Sequence, residues 1–210
     1  MMDSSTRCYK STLFNLARLW VLGFALLLPL AAAYGQSVTE ITQFRLERTD
    51  DEVLLSSQLQ FELPGAVEDA LLKGIPMVFV AEADILRERW YWYDKKVATT
   101  QRHMRLAYQP LTRRWRLNIN AGSGATGPLG LALNQGHDTL AQALSAIKRI
   151  SQWKIIEAGE LDNAVKYKVE FRFRLDLSQL PRPFQIGAIG QSEWDIFVST
   201  VSPLNLESTK

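Results

Sequence analysis

The sequence has few of the residues that hold small proteins together by disulfides or metals. Its 210 residues include one cysteine, Cys8, and two histidines, His103 and His137. A single cysteine cannot form an intrachain disulfide, and without further cysteines or a paired histidine a structural zinc site is not expected. A hydrophobic core must therefore hold the fold, and a chain of this length can supply one.

Long apolar runs are also scarce, and neither sign of charge is in strong excess. The apolar run over residues 19–30 is about a dozen residues, short of the roughly 20 that span a bilayer. Lysine and arginine number 24 against 22 aspartates and glutamates, and the residues after position 35 contain 21 of each. Because nucleic-acid binding draws on a strong basic excess, we expect no nucleic-acid partner.

The first 35 residues have the layout of a signal peptide, with basic residues, the apolar run and then small side chains. Ala33 and Gly35 supply the small residues that signal peptidase requires, so we predict cleavage before Gln36. The expected products are a signal peptide over residues 1–35 and a single exported domain over residues 36–210, located in the periplasm without a transmembrane segment. The alternative is an uncleaved segment that anchors the protein in the inner membrane.

Alternation of apolar and polar residues, typical of strands with one face on a core and one in water, is abundant. Over residues 165–177 every second residue is apolar and those between are charged. A similar run over residues 53–63 follows a shorter one, so residues 38–63 are predicted to form a β-hairpin. Further strands are predicted over residues 76–93, 97–109, 113–120 and 193–201.

Two short segments have helical spacing instead. Residues 66–73 carry apolar residues on one helical face and stop at Gly74. Residues 139–150 begin with Thr139 and Gln142 in a capping-box arrangement. We therefore predict one α+β domain dominated by an antiparallel sheet, sandwich-like or strongly curved, with two short helices.

Motifs that would indicate catalysis or a cofactor are weak. Residues 122–127 match G-x-G-x-x-G, but a dinucleotide site needs a helix to begin at that turn, and Pro128 follows instead. We interpret residues 121–136 as a loop and the acidic residues 50–52 as a solvated turn. No G-x-S-x-G elbow is present in the sequence. We therefore expect no catalytic residue, metal or cofactor, and a protein that is not an enzyme.

Residues 84–116 form a basic segment with nine lysines and arginines against three acidic residues, and aromatic residues lie between them. In a continuous strand over residues 76–93, two arginines and two tyrosines share one face. Guanidinium groups beside aromatic rings hold anions or stack on partner side chains, which suggests a docking surface for an acidic partner or an anionic lipid. The alternative is a solvated sheet face whose arginine stems cover neighbouring rings. The candidate interaction patch comprises Arg87, Arg89, Tyr91, Tyr93, Arg114 and Arg116.

Several segments together resemble a known family. Residues 87–96, 115–117, 140–153 and 180–185 are similar to the uncharacterised proteobacterial family catalogued as domain of unknown function 4390, and Trp194 matches its late tryptophan. The resemblance covers most of the chain after residue 36. It implies an exported protein without an assigned activity, and it associates the family with a membrane sensor kinase of the nitrogen-regulation type.

These features predict a non-catalytic interaction module of the periplasm. Its expected partner is an envelope or inner-membrane protein, with the extracytoplasmic part of a membrane sensor kinase as the form that the resemblance suggests. The alternative is a periplasmic carrier that binds an apolar small molecule or lipid in a cavity of the sheet.

Overall fold

The alternating segments form antiparallel strands in a computed structural model that describes residues 39–91, 93–123, 132–188 and 194–205. The predicted signal peptide lies outside these residues. In chain order the elements are β1 (Glu40–Arg48), β2 (Glu52–Gln60), α1 (Gly65–Leu72), β3 (Met77–Arg87), β4 (Lys95–Gln109), β5 (Arg114–Ser123), β6 (Ala132–His137), α2 (Leu140–Lys148), β7 (Arg149–Glu157), β8 (Tyr167–Leu175), α3 (Arg182–Ala188) and β9 (Phe197–Leu204).

The strands are arranged in two sheets. A three-stranded sheet has the order β1-β2-β7, and a six-stranded sheet has the order β6-β5-β4-β3-β8-β9. Each neighbouring pair in these sheets is antiparallel. The turn between β1 and β2 is closed by the Thr49 amide, which donates to the Glu52 carbonyl at 2.9 Å. The predicted hairpin over residues 38–63 is thus confirmed.

The two sheets pack face to face around one hydrophobic core. The ring of Phe44 on β1 lies 5.7 Å from the ring of Phe171 on β8, centroid to centroid. At another point the Thr100 hydroxyl on β4 donates to the Ile155 carbonyl on β7 at 2.7 Å. The predicted single α+β domain dominated by antiparallel sheet is confirmed, and its shape is the sandwich-like one of the two expected.

β8 shows most directly how the sequence specifies the sheet. Its odd-numbered side chains are buried, while those at even positions are half-buried or exposed. Phe171 and Phe173 are completely buried, as expected for the apolar face of an alternating strand. The strand is shorter than the predicted span because the alternation continues at both ends, through Val165 and Leu177, into residues outside the strand.

The two predicted helices are confirmed, with small shifts in their ends. α1 buries Val67, Ala70 and Leu71 and is followed by Gly74, whose positive φ of 82° favours glycine. α2 is capped by Thr139, whose hydroxyl accepts from the Gln142 amide at 3.3 Å.

The end of the second predicted helix is wrong, and a strand was missed beside it. α2 stops at Lys148, and β7 begins at the next residue. In β7, residues 151 and 152 together oppose Ser56 of β2, so the strand contains a β-bulge. Gln152 at this bulge has a positive φ of 44°. The bulge interrupts the period-two pattern, which is why the sequence did not indicate a strand.

Both described ends of the glycine-rich stretch over residues 121–136, which was predicted as a loop, belong to strands. β5 continues to Ser123, and β6 is a short edge strand paired directly with β5, with Trp115 opposite His137. The two strands form an antiparallel hairpin rather than a βαβ unit, which does not suit a dinucleotide-binding turn. Gly122 and Ser123 lie in β5, and residues 124–127 of the G-x-G-x-x-G match lie outside the described residues.

Elements near the C-terminus differ from the prediction in number and position. The short helix α3 was not predicted, and the last strand covers Phe197–Leu204 rather than residues 193–201. Trp194 and Ile196 are buried ahead of this strand. The Ile196 carbonyl accepts from the Leu175 amide at 2.9 Å. Their apolar pattern therefore reflects burial on the approach to β9, not membership of it.

Candidate interaction surface

The predicted strand over residues 76–93 ends early, and this changes the candidate patch. β3 stops at Arg87, which pairs with Lys95 at the start of β4 and with Tyr167 at the start of β8. Beyond this point the ladders with β4 and β8 end, although the Glu88 amide still donates to the Lys166 carbonyl. Aromatic and alternating sequence is typical of strands, but without a partner strand it forms a loop here.

The expected sharing of a strand face by two arginines and two tyrosines is therefore wrong. Arg87 closes β3, whereas Arg89, Tyr91 and Tyr93 belong to the loop that connects β3 to β4. Trp92 lies outside the described residues. Arg87, Arg89 and Tyr91 line one groove at this end of the six-stranded sheet, and Tyr93 follows in the same loop outside that lining.

The loop is fastened at its base by one carboxylate. Asp94 accepts a hydrogen bond from the Arg89 amide at 3.3 Å and forms an ion pair with Lys168 of β8. The Lys168 hydrogen bond outweighs partial burial and holds the pKa of Asp94 below its ordinary value. The same contact with Asp94 raises the pKa of Lys168. The carboxylate thus ties both loop ends to the sheet.

An open groove of about 870 Å³ lies between this loop and the segment before β8. We call it the loop groove. The Glu88 amide donates to the Lys166 carbonyl at 3.0 Å and so joins the two segments that line the groove. The ring of Trp90 is 92% exposed, and it meets the ring of Tyr91 edge-on at 4.5 Å between centroids. The groove is lined by Arg87, Glu88, Arg89, Trp90, Tyr91, Ala164, Val165 and Lys166.

The two remaining patch residues lie elsewhere. Arg114 and Arg116 are at the start of β5, where Arg116 is opposite Ala107 near the far end of β4. About twelve residues along β4 separate that position from Arg87, or roughly 40 Å in a strand. Arg114 makes an ion pair with Asp138 at 2.8 Å. The six predicted residues therefore do not form one surface.

A network of charges on the outer face of the six-stranded sheet was not predicted. Asp84 of β3 is completely buried, although it lies on the opposite side of the strand from the core residues Ala83 and Ile85. Its carboxylate accepts from the Thr99 hydroxyl at 2.6 Å and from Lys96 at 2.7 Å, and it also contacts Arg172. The donors cover the carboxylate and replace its water.

Arg172 is the centre of this network. It binds Glu82 as well as Asp84, and it lies 3.4 Å from Glu170. Gln101 donates to the other oxygen of Glu82 at 2.9 Å. Because each of these carboxylates has a donor within the sheet, the network resembles a structural clamp across β4, β3 and β8 more than a reactive site. The cross-strand register that brings these residues together cannot be read from one strand alone.

Arg102, which belongs to the basic segment, faces the interior and not the patch. Its guanidinium carbon lies 5.1 Å from the ring centroid of Trp153 on β7. Burial lowers the pKa of Arg102. The arginine therefore spans the gap between the sheets as a cation–π contact.

The space between the sheets is filled by large side chains. Phe61, Phe79, Phe171 and Phe173 are fully buried, and the rings of Phe79 and Phe173 stack 5.9 Å apart. Such packing does not favour the carrier hypothesis, which needs room for an apolar ligand inside the sandwich.

The two histidines lie on different strands of the six-stranded sheet. His103 lies on β4 between Val80 and Asn120, and His137 ends β6. Within the described ranges, no group of three histidine, cysteine, aspartate or glutamate side chains is placed to hold a metal ion. In the same part of the chain, no helix has the length and apolar character needed to cross a membrane.

Comparison with known proteins places the chain in a family. A family model described as Domain of unknown function (DUF4390) matches residues 36–202. The chain belongs to the DUF4390 family. The resemblance that the sequence motifs indicated is thus confirmed, and the loop groove and both groups of patch residues lie inside the DUF4390 span. No curated protein and no solved structure matches the chain.

Proposed function

We propose that this protein is a non-catalytic interaction module of the periplasm, and that it docks on an envelope or inner-membrane protein through the loop groove. The observation that carries the proposal is the exposure of two rings of the loop. Trp90, which lines the groove with Arg87 and Arg89, is 92% exposed, and Tyr93, which follows in the same loop outside the lining, is 90% exposed. Exposed aromatic rings contribute little to the stability of the free protein. When a partner covers them, the burial of their surface contributes favourable binding free energy.

The composition of the loop supports docking. Tryptophan, tyrosine and arginine are the residue types that contribute most at protein interfaces. The base of the loop is already held by Asp94, so less conformational freedom would be lost on binding. The partner form suggested by the family association is the extracytoplasmic part of a membrane sensor kinase.

Export is part of the proposal and has its own test. The sequence layout of residues 1–35 supports a cleaved signal peptide, with the cut before Gln36. N-terminal sequencing of protein recovered from the periplasmic fraction should begin at Gln36. Recovery of the chain with Met1 in the membrane fraction would show the anchored alternative instead.

Docking is tested by affinity capture from envelope extracts with matched variants. The wild-type chain and Arg114→Ser/Arg116→Ser should retain the same envelope protein, identified by mass spectrometry. The variant Trp90→Ala/Tyr93→Ala should lose it while keeping an unchanged melting temperature. If all three chains retain the same proteins, the loop is not the docking surface. Loss in the β5 variant alone would move the surface to the opposite end of the sheet.

A further inference from the structure

We infer that the loop groove binds a short acidic protein segment that carries an apolar or aromatic side chain, and that it does not bind the surface of an anionic bilayer. The inference rests on the proposed docking function and names the class of partner. Three features of the groove support it: its cations, its rings and the charges around it.

The cations of the groove suit carboxylates. Arg87, Arg89 and Lys166 line it against a single acidic residue, Glu88. This local excess is a property of the site, because residues 36–210 contain equal numbers of basic and acidic residues. Arginine forks bind carboxylates through paired hydrogen bonds. An acidic segment would therefore find two arginines and a lysine within one groove.

The rings of the groove suit a side chain and not only a charge. Trp90 and Tyr91 meet edge-on, and both line the groove together with Ala164 and Val165. An apolar side chain that binds among these residues would be removed from contact with water. With a volume of about 870 Å³, the groove has room for a few residues of a peptide.

The surroundings of the groove separate a peptide from a membrane. Arg48 donates to Asn163 at 2.8 Å, beside the groove residue Ala164. The Ala158 amide donates to the Asp51 carbonyl at 2.9 Å, so the turn between β1 and β2 lies at this same end of the sandwich. This end carries the exposed carboxylates of Asp50, Asp51, Glu160 and Asp162.

These carboxylates argue against a lipid surface. A bilayer lying flat on this end of the sandwich would face the acidic turn as well as the groove, and like charges within about 8 Å of each other repel at physiological ionic strength. A peptide contacts the groove alone and leaves that turn in water. Its acidic residues would face the arginines, and the acidic rim would limit where the segment could extend.

The experiment measures binding of a defined probe to the exported chain. The probe is a short fluorescein-labelled peptide in which glutamate alternates with serine and leucine, followed by fluorescence anisotropy. A counterpart with glutamine in place of glutamate tests the charge. Vesicles of phosphatidylglycerol and phosphatidylcholine, assayed by co-sedimentation, test the lipid.

We expect saturable binding of the acidic peptide, at least about tenfold weaker binding of the glutamine peptide, and weakening with rising salt. Arg87→Ser/Arg89→Ser and, separately, Trp90→Ala should each weaken peptide binding by about tenfold or more. Arg114→Ser/Arg116→Ser, which removes the same charge elsewhere, should change it by less than about twofold. Thermal melts of all variants should match the wild type.

Three results would overturn the inference. They are absence of acidic-peptide binding, equal binding by the loop and β5 variants, and vesicle binding that Trp90→Ala abolishes. If affinity capture still depends on Trp90 and Tyr93 while the acidic peptide does not bind, the docking function stands and the acidic partner class is wrong. If neither depends on the loop, both proposals fail.

Discussion

Two basic regions of this protein draw their arginines from one stretch of sequence, and they differ in shape, in exposed aromatic rings and in ion pairing. The loop groove has two arginines and a lysine against exposed rings, and its walls come from two separate segments. Arg114 and Arg116 project from a regular strand, and Arg114 already has a carboxylate partner in Asp138. The first is a concave surface with uncovered rings, and the second is a sheet face in water.

The difference shows that charge and aromatic content do not by themselves define a binding surface. A strand holds its side chains apart in a flat array, and exposed ion pairs on such an array contribute little. A loop that leaves the sheet can bring arginines and rings together around a space. In this chain the change from strand to loop occurs at Arg87, where both neighbouring strands end.

Both regions belong to one sandwich that is held by its core. The largest predicted effect tests how tightly that core is packed. Phe171 is fully buried on β8 and contacts Phe44 across the sheets. Phe171→Ala should cost about 3–5 kcal/mol of unfolding free energy, because it opens a cavity between the sheets. That is a large part of the roughly 5–15 kcal/mol typical of a domain. Denaturant titration measures the loss, and a change below about 1 kcal/mol would contradict the described core.

The next effect concerns the network that lies between the two regions. Arg172→Ala removes the shared donor of Glu82 and Asp84 and leaves the buried Asp84 carboxylate with Thr99 and Lys96 alone. We expect a loss of about 1–3 kcal/mol, since a buried carboxylate is left partly unpaired. A double-mutant cycle with Asp84→Asn should show coupling between the two sites. Strict additivity would mean that the network is not a clamp.

Asp94→Ala should affect the loop region and leave the β5 region unchanged. The substitution removes the acceptor of the Arg89 amide and the ion pair with Lys168. Faster amide exchange is expected over residues 88–94, with little change in melting temperature. Because the pKa of Asp94 is depressed in the fold, its contribution is present at neutral pH and is lost as pH falls below about 4. Unchanged exchange in the loop would show that other contacts hold it.

The smallest effect is expected for the β5 region. Arg114→Ser/Arg116→Ser should change the unfolding free energy by less than about 1 kcal/mol, because both side chains are exposed and their ion pair is screened by water. Thermal melts measure this. A loss of several degrees would assign these arginines a structural role and remove the basis for using them as a matched control.

The sequence predicts strands where apolar and polar residues alternate without interruption. In β8 the alternation is complete, so the strand and its buried face follow from the residues alone. β7 was missed because the bulge at Gln152 shifts the apolar residues out of period. Residues 88–93 of the loop were predicted as strand because their side chains favour strands, and strand pairing depends on neighbours that the local sequence does not contain.

The candidate site was predictable in composition and not in shape. The sequence identified the residues of the loop as unusual, and three of the six patch residues line one groove. The sequence could not show that Arg114 and Arg116 lie far from the loop, because the distance along β4 depends on where each strand begins. The network around Arg172 depends on the register of three strands and has no signal in any one of them.

Amide hydrogen exchange of the chain with and without the acidic peptide tests the central claim most directly, because it reports both basic regions in one experiment. The account predicts slower exchange over residues 87–94 and 164–166 when the peptide is bound, with no change over residues 113–118. Protection over residues 113–118, with the loop unchanged, would contradict it.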